Sequence, residues 1–514
     1  MPRSLFLLGL LTGLTLSLAS LSTALFAASV REKRRIARAR AAQGLGGRRA
    51  RRFTAGREDG EESGSESESG EEEKWEVIEV RKGEVVRGVQ GAIGNTPLIR
   101  IASLSRLTGC DILGKAEFLN PGGSPKDRVA LQILNDAERS GQLHPRTNSC
   151  VFEGSVGSTG ISLAMLARAK GYRCSIVMPD DVAREKKEML AALGAELRAV
   201  RPRAIADPAH FVNEARRLAQ TFGGANGTLL AGPGAHGHQE EEEEEAEGEK
   251  SEGQAKPGAA VVVSSTATGG AEEGADALSE KPRGFFADQF ESESNFRAHY
   301  RGTGPEIWRQ TGGMIDAFVC GAGTGGTLAG VSRFLKRKSR GAVHVVLADP
   351  QGSGLFNKVK HGVVYSHTEA EGTRRRHQTD TVVEGIGLNR LTHNFAHALP
   401  ATDDAERVLD QEAVAMSRWL VQEDGLFLGS SSAVNLVAAV RVAQKLKLAQ
   451  QQSERRGGGE DKEAATTPPT VVTLLCDSGA RHLSRFWNDE ALAQLGLHAT
   501  ADMHWLFPDG GADV

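Results

Sequence analysis

Apolar and polar positions alternate with a period of two over residues 112–119, and the spacing then switches to that of an amphipathic helix over 127–137. The same switch recurs downstream. A strand over 150–153 leads through a Gly-rich turn into a helix over 161–170. A strand over 174–178 precedes a helix over 184–193, and 196–200 reads as the next strand. Further on come a helix over 306–310, a strand over 315–320, a helix over 328–336 and a strand over 343–348. Such alternation predicts parallel sheets covered by helices, with ligands at the carboxyl ends of the strands. The fold class expected is α/β. A polar stretch at 231–284 falls between two of these blocks, which predicts two α/β domains with a cleft between them.

Composition refines the ends and the gaps. The chain has 514 residues, enough for two or three domains, and a net charge of −4 that gives no reason to expect nucleic acid. Five cysteines without metal-like spacing fit a reducing compartment, with Cys110, Cys174, Cys320 and Cys476 expected as buried structural thiols. Residues 4–30 form 27 consecutive uncharged positions rich in leucine and alanine. A membrane-spanning helix needs only ~20. The rival reading is a cleaved secretory signal ending near Phe26-Ala27-Ala28-Ser29, but the apolar run is too long for one. Residues 31–52 hold ten Arg or Lys against one Glu. Excess positive charge keeps its side of a membrane cytosolic. The expectation is therefore an anchor at 1–30, with the rest of the chain in the cytosol. A basic and then acidic linker at 31–84 follows it. Residues 53–74, 231–284 and 451–469 are too polar and too charged to offset ordering entropy, and are expected to be disordered. The remaining division is a catalytic region over 85–490 and a tail over 491–514.

The candidate chemistry starts at residues 120–128, NPGGSPKDR, which join the first strand to the first helix. Lys126 then stands at the mouth of a helix, where unpaired N–H groups and the dipole disfavour its charge. A lysine so placed can lose its proton and attack a carbonyl to form a Schiff base. The loop 321–327, GAGTGGT, follows a strand and opens a helix. Small residues and N–H groups there suit a phosphate, and Thr324 and Thr327 add hydroxyl donors. The same loop satisfies the dinucleotide fingerprint G-x-G-x-x-G, with Asp349 ending the next strand, so a nicotinamide-binding unit is the competing reading. The loop 154–160 also ends a strand and opens a helix, offering Ser155 and Thr159 to an anion.

These motifs occur in a set order. IGNTPLIRI at 93–101, FLNPGGSPKDR at 118–128 and EGSVGSTGISLA at 153–164 come first. DQF at 288–290, HYRGTGPEIWRQTGG at 299–313 and GAGTGGT follow. EGIG at 384–387, GLFLGSSSA at 425–433 and DSGARHLS at 477–484 complete it. Over roughly residues 85–487 the chain resembles the cysteine synthase and cystathionine β-synthase family of fold-type II pyridoxal-phosphate enzymes, in its membrane-anchored, fungal-type form. The resemblance implies two three-layer α/β domains of the tryptophan synthase β-like class, with pyridoxal 5′-phosphate in the cleft between them. It implies that Lys126 carries the cofactor and that Gly323, Thr324, Gly325, Gly326 and Thr327 hold its phosphate. Ser158 is implied at the cofactor's 3′ oxygen and Ser431 at the pyridine nitrogen, with Ser430 and Ser432 flanking. For the substrate carboxylate the resemblance points to Ser155, Gly157, Thr159 and Gln289. No metal is implied.

The reaction implied is formation of L-cysteine from O-acetyl-L-serine and sulfide through an α-aminoacrylate intermediate, by a homodimer. The alternatives are another β-elimination or β-replacement, such as serine or cysteine dehydration or cystathionine formation, and a catalytically weak scaffold tethered to a membrane. The anchor suits the mitochondrial outer membrane, with the endoplasmic reticulum as the alternative. One departure stands out. Where typical cysteine synthases read T-S-G-N-T-G, this chain has SVGSTG at 155–160, so Val156 replaces a hydroxyl and Ser158 an asparagine.

Overall fold

The computed structural model describes residues 85–203, 205–222, 281–366, 381–456 and 467–507. The expected anchor, the linker through 84 and most of the two segments 231–284 and 451–469 lie outside the described residues. Strands β1 (Leu98–Arg100), β2 (Asp111–Ala116), β3 (Cys150–Gly154), β4 (Arg173–Pro179) and β5 (Glu196–Val200) come from the first half. Strands β6 (Gly284–Phe286), β7 (Ala317–Gly321), β8 (His344–Pro350), β9 (Asp404–Val408) and β10 (Thr470–Leu475) come from the second. They make a six-stranded sheet in the order β1-β2-β10-β7-β8-β9 and a four-stranded sheet in the order β5-β4-β3-β6.

The helices alternate with the strands. They are α1 (Ala102–Thr108), α2 (Lys126–Arg139), α3 (Ser158–Lys170), α4 (Arg184–Ala192), α5 (Phe211–Thr221) and α6 (Glu293–Ala298). Then follow α7 (Gly304–Gln310), α8 (Gly326–Lys338), α9 (Leu355–His361), α10 (His393–Ala398), α11 (Asp410–Asp424), α12 (Ser430–Arg456) and α13 (Asp489–Gln494). The α/β class expected from the alternation is borne out.

Each sheet is covered on both faces, because alternate residues of its strands feed opposite cores. In the larger sheet Val319 and Val346 pack with Val434 and Val437 of α12, while Phe318 and Val345 pack with Leu328 and Val331 of α8. In the smaller sheet Val151 and Ile176 pack with α2 and α3, and Phe152 faces Ala219 of α5. Strands buried on both faces read as continuous apolar runs. The helix α12 is buried all round from Val434 to Val440, Asn435 included, which makes it an interior helix.

Four expectations are corrected. β1 pairs antiparallel with β2; three residues are too few to show a period. The 231–284 segment does not separate the domains: β6 pairs with β3 and belongs to the smaller sheet, so the segment interrupts that unit. The domain boundary is set instead by β10, which pairs with β2 and closes the larger sheet around the inserted smaller one. α12 runs to Arg456, into the stretch expected to be disordered. Residues 491–507 of the expected tail pack on the larger unit, since Leu492, Met503 and Leu506 are buried in its core.

The strand expected over 112–119 ends at Ala116, and Glu117–Leu119 turn as a 3-10 helix. The turn carries Glu117 inward to a buried charge network. Arg128 on the first turn of α2 donates from Nε and Nη2 to Glu117 at 2.7 and 2.8 Å, and from Nη1 and Nη2 to Glu306 of α7 at 2.6 and 2.8 Å. Lys115 of β2 completes it, with Nζ 2.6 Å from Glu306 Oε2. All four side chains are at most 6% exposed. Burial opposes ionisation of Glu306, but Arg128 and Lys115 outweigh it and hold its carboxyl at about 2. Removing one partner of a buried pair strands the other charge. Arg128→Met should therefore lower stability by ~3–5 kcal/mol, read from the denaturant midpoint. A loss below about 1 kcal/mol would mean the network does not hold this end of α2.

Candidate active site

The carboxyl ends of β3, β7 and β10 converge on a cavity of about 1100 Å³ between the two sheets. Lys126, the first residue of α2, lines it; its backbone N–H donates to Ser124 Oγ at 3.3 Å, while its amine makes no hydrogen bond or ion pair among the described residues. Burial holds its amine below the usual lysine value, against smaller opposing effects of Cys476, Cys320 and Asp477. The next residue fixes its direction. Asp127 Oδ2 accepts from Gly122 N at 2.6 Å and Oδ1 accepts from the Ser162 hydroxyl. These bonds tie the glycine turn to α2 and α3, and burial raises the Asp127 carboxyl to about 6.

Opposite the lysine stands the loop before α8. Gly323, Thr324, Gly325 and Thr327 line the cavity. Gly325 has φ 88°, and a Cβ there would lie 2.5 Å from the backbone of Phe395, so only glycine fits. Gly326 lies behind the wall, against Asn295. Asn295 Nδ2 donates to Thr324 Oγ1 at 2.8 Å and to the Gln289 carbonyl at 2.9 Å. Thr327 Oγ1 is 3.0 Å from Nε2 of His299, whose burial keeps it neutral. Asp349 does not face the cavity: its Oδ2 accepts from Phe356 N at 2.7 Å, at the start of α9. That removes the acid the nicotinamide reading requires.

The loop before α3 forms a third wall. Ser155, Val156, Ser158 and Thr159 line the cavity, whereas Gly157 lies behind it against the Lys186 side chain. Ser155 Oγ accepts from Gly157 N and Gly160 N at 3.1 and 3.2 Å, so it braces the loop. Thr159 donates to Gln289 Oε1, and Gln289 Nε2 reaches Glu153 and the Gly154 carbonyl at 3.3 Å. Of the three serines at the start of α12, only Ser431 lines the cavity, where it is bonded to the Cys476 thiol. Ser430 Oγ accepts from Glu384 N, and Ser432 Oγ from Cys476 N.

The structure thus brings ten of the twelve expected residues to one cavity and sets Gly157 and Gly326 directly behind it. All five cysteines are free. Cys110, Cys150, Cys174 and Cys320 are buried, while Cys476 is half-buried. Burial pushes the thiols of Cys110 and Cys476 to about 11, which suits inert thiols.

Sequence reasoning missed Asn295, Glu153 and a polar clasp across the cavity mouth. In the clasp Glu384 meets Lys186 of α4, Arg485 at 3.2 Å and His482 Nδ1 at 3.3 Å, while His482 Nε2 is 3.0 Å from Asp477 Oδ2. The quoted motifs EGIG and DSGARHLS contain Glu384, Asp477, His482 and Arg481. Nothing in their spacing says that they meet. Arg481 is also buried, donating to the Gly122 carbonyl and, at 3.4 Å, to Ser158 Oγ.

An amine free of hydrogen bonds, in one cavity with a loop of glycines and hydroxyls at a helix start, fits a phosphorylated aldehyde cofactor. A family model described as "Pyridoxal-phosphate dependent enzyme" matches residues 89–238 and 243–454. The chain belongs to that family, and its cofactor is pyridoxal 5′-phosphate. Within the family it is cysteine synthase-like. It is 51% identical over 416 residues to "Cysteine synthase 2" of Neurospora crassa, covering 80% of this chain and 75% of that one. It is 49% identical to "Cysteine synthase 2" of Schizosaccharomyces pombe, covering 80% and 87%. To the "Putative mitochondrial cysteine synthase" of Saccharomyces cerevisiae it is 43% identical, covering 78% and 84%. A solved O-acetylserine dependent cystathionine beta-synthase from Helicobacter pylori shares the fold, with TM-score 0.54 at 23% identity, covering 78% of this chain and 98% of that one.

The clasp has a pH signature. Burial lowers the His482 imidazole, but the carboxylates of Asp477 and Glu384 more than offset burial and Lys186, and hold it above 6.5. A raised folded value contributes stability that is fully present below the unfolded pKa and lost as pH rises through the folded one. His482→Gln should therefore destabilise most below pH 6.5 and progressively less as the pH rises through the raised folded value. Parallel stability profiles for the two proteins would show that the imidazolium does not close the clasp.

Proposed function

We propose that this protein is a cysteine synthase, replacing the β-substituent of an O-acetyl-L-serine-type amino acid with sulfide to give L-cysteine. The observation that carries the reading is Lys126, a desolvated lysine with no side-chain partner, opposite the GAGTGGT loop in one cavity. When bound, pyridoxal phosphate supplies the electron sink for loss of the α-proton and the β-leaving group.

The residues divide the remaining work. Lys126 would hold the cofactor and, freed from it, would move the α-proton at Nζ; burial lowers its pKa, which favours the neutral amine a base requires. Gly323 to Thr327 hold the phosphate at the start of α8, with Thr324 oriented by Asn295 and Thr327 by His299. Ser158, in the cavity wall, would serve the 3′ oxygen. Ser431, now bonded to the Cys476 thiol, would serve the ring nitrogen, where a hydroxyl favours β-elimination over chemistry needing a stronger sink. Thr159 and Gln289 hold each other in position and, with Ser155 and Gly157 of the same loop, receive the substrate carboxylate. Borohydride reduction followed by peptide mapping should place the cofactor on the peptide containing Lys126. Label on another lysine, or a Lys126→Ala protein that keeps the wild-type cofactor absorbance, would remove the assignment.

A second reading rests on the loop at 155–160. Val156 offers no hydroxyl to a carboxylate, and Ser158 stands where the family has asparagine. Losing one hydrogen bond to a charged group costs ~1.5–3 kcal/mol, or roughly ten- to a hundredfold in binding. O-acetyl-L-serine is then a poor substrate, or a different β-substituted amino acid is preferred. Val156→Ser combined with Ser158→Asn should raise kcat/KM for O-acetyl-L-serine. An unchanged value, already equal to that of an ordinary cysteine synthase, would show that these positions do not limit the reaction.

The setting is proposed from the sequence. Residues 4–30 span a membrane with the catalytic region in the cytosol, the mitochondrial outer membrane being favoured, and the enzyme acts as a homodimer. A mitochondrial setting agrees with the name of the Saccharomyces cerevisiae relative. Among the described residues no helix is long and apolar enough to cross a membrane. Carbonate extraction should leave the full chain in the pellet, and protease added to intact organelles should digest the catalytic region. Protection of that region would refute the orientation.

A further inference from the structure

On the outer side of the phosphate loop, α6 and α10 bring three metal-ligating side chains to one point. His393 and His397 lie one helical turn apart on α10, and Glu293 opens α6. One ligand atom from each lies within 4.8 Å of the others. The two imidazole Nε2 atoms are 3.1 Å apart, with the rings nearly perpendicular, and Glu293 Oε1 is 3.9 Å from His393 Nε2. We propose that Glu293, His393 and His397 form a divalent-metal site of the zinc class, which clamps α6 to α10.

The chemistry fits that ion. Two imidazoles at i and i+4 of one helix face plus a carboxylate are a zinc donor set. Zinc–nitrogen bonds of ~2.0–2.1 Å in a tetrahedral shell put the two nitrogens roughly 3.3 Å apart, close to what the side chains already adopt. His393 and Glu293 are about half exposed, which leaves room for water at the remaining position. His397 is the more buried partner, with its ring stacked on Phe296 at 5.5 Å. One neighbour opposes the ion. Arg333 Nη1 stands 3.3 Å from His397 Nδ1. A guanidinium donating there forces the proton onto Nε2, the atom the metal needs. Metal and Arg333 therefore compete for one imidazole.

The clamp matters for the site behind it. α6 carries Asn295, which holds Thr324 Oγ1 and the Gln289 carbonyl. α10 is capped by Thr392, which donates to the Thr324 carbonyl at 2.8 Å, and carries Asn394, which donates to the carbonyls of Gln289 and Phe290. Phe395 backs Gly325. A metal joining the two helices would restrain the phosphate loop and Gln289 together from outside the cavity, without entering it.

The test uses chelator-treated holoenzyme titrated with Zn2+ by calorimetry, with Co2+ as a spectroscopic probe. One Zn2+ per chain should bind, Co2+ should give the visible bands of a low-coordinate nitrogen and oxygen site, and the thermal transition should rise. The variant with both His393→Ala and His397→Ala should lose all three responses. Glu293→Gln should weaken binding and Arg333→Gln should tighten it, since neither substitution disturbs a buried contact of the cavity. Absence of binding in the wild type would overturn the site. So would equal binding by the double variant, or weaker binding after Arg333→Gln.

Discussion

Everything at the cavity depends on where α2 begins, and that is decided by one buried guanidinium. Arg128 is two residues after Lys126 and is gripped by two carboxylates, one from the turn after β2 and one from α7. A buried charge is tolerated only when paired and hydrogen-bonded, so this arrangement admits one register. Shifting α2 by one residue would bury Arg128 without partners. The same network joins β2 and α7 of the larger unit to the first helix of the smaller one, and so fixes the cleft as well as the lysine.

From that anchor the site reads outward. The glycine turn at 120–125 is pulled onto α2 by Asp127, leaving the Lys126 amine aimed at the cleft without a neighbour to satisfy it. Low dielectric around it does the chemical work of lowering its pKa. The opposite wall is built differently, from backbone that approaches closely because Gly323 and Gly325 carry no Cβ. It is stiffened from behind by Asn295, Thr392 and His299. One side of the cavity supplies a nucleophile and a base, the other an anion cradle. Binding of one molecule to both would draw the two units together, and the Glu384, His482 and Lys186 clasp lies at the mouth where they meet.

Local periodicity made much of this legible. Strands such as β3 and β7 were readable as short apolar runs, and helices such as α2 and α8 from their period, with a glycine turn where one gives way to the other. The loops at 154–160 and 321–327 and the lysine before α2 were readable for the same reason, since function sits at those switches. What was not readable is long-range. That β10 returns to pair with β2, so the smaller unit is an insertion, requires contacts across some 350 positions and leaves no local trace. Glu117, Glu306, Arg128 and Lys115 look like solvated charges in the sequence, and only their convergence makes them a core feature. The clasp and the His393–His397–Glu293 cluster were invisible for the same reason.

The central claim is that this cavity performs β-replacement by sulfide. The most direct measurement is to supply the purified, cofactor-loaded protein with sulfide and a panel of β-substituted alanines, including O-acetyl-L-serine, and to identify products by mass spectrometry. The account predicts L-cysteine, with one leaving group released per cysteine formed, from at least one member of the panel. Cysteine from none of them, in a protein that holds its cofactor, would contradict it.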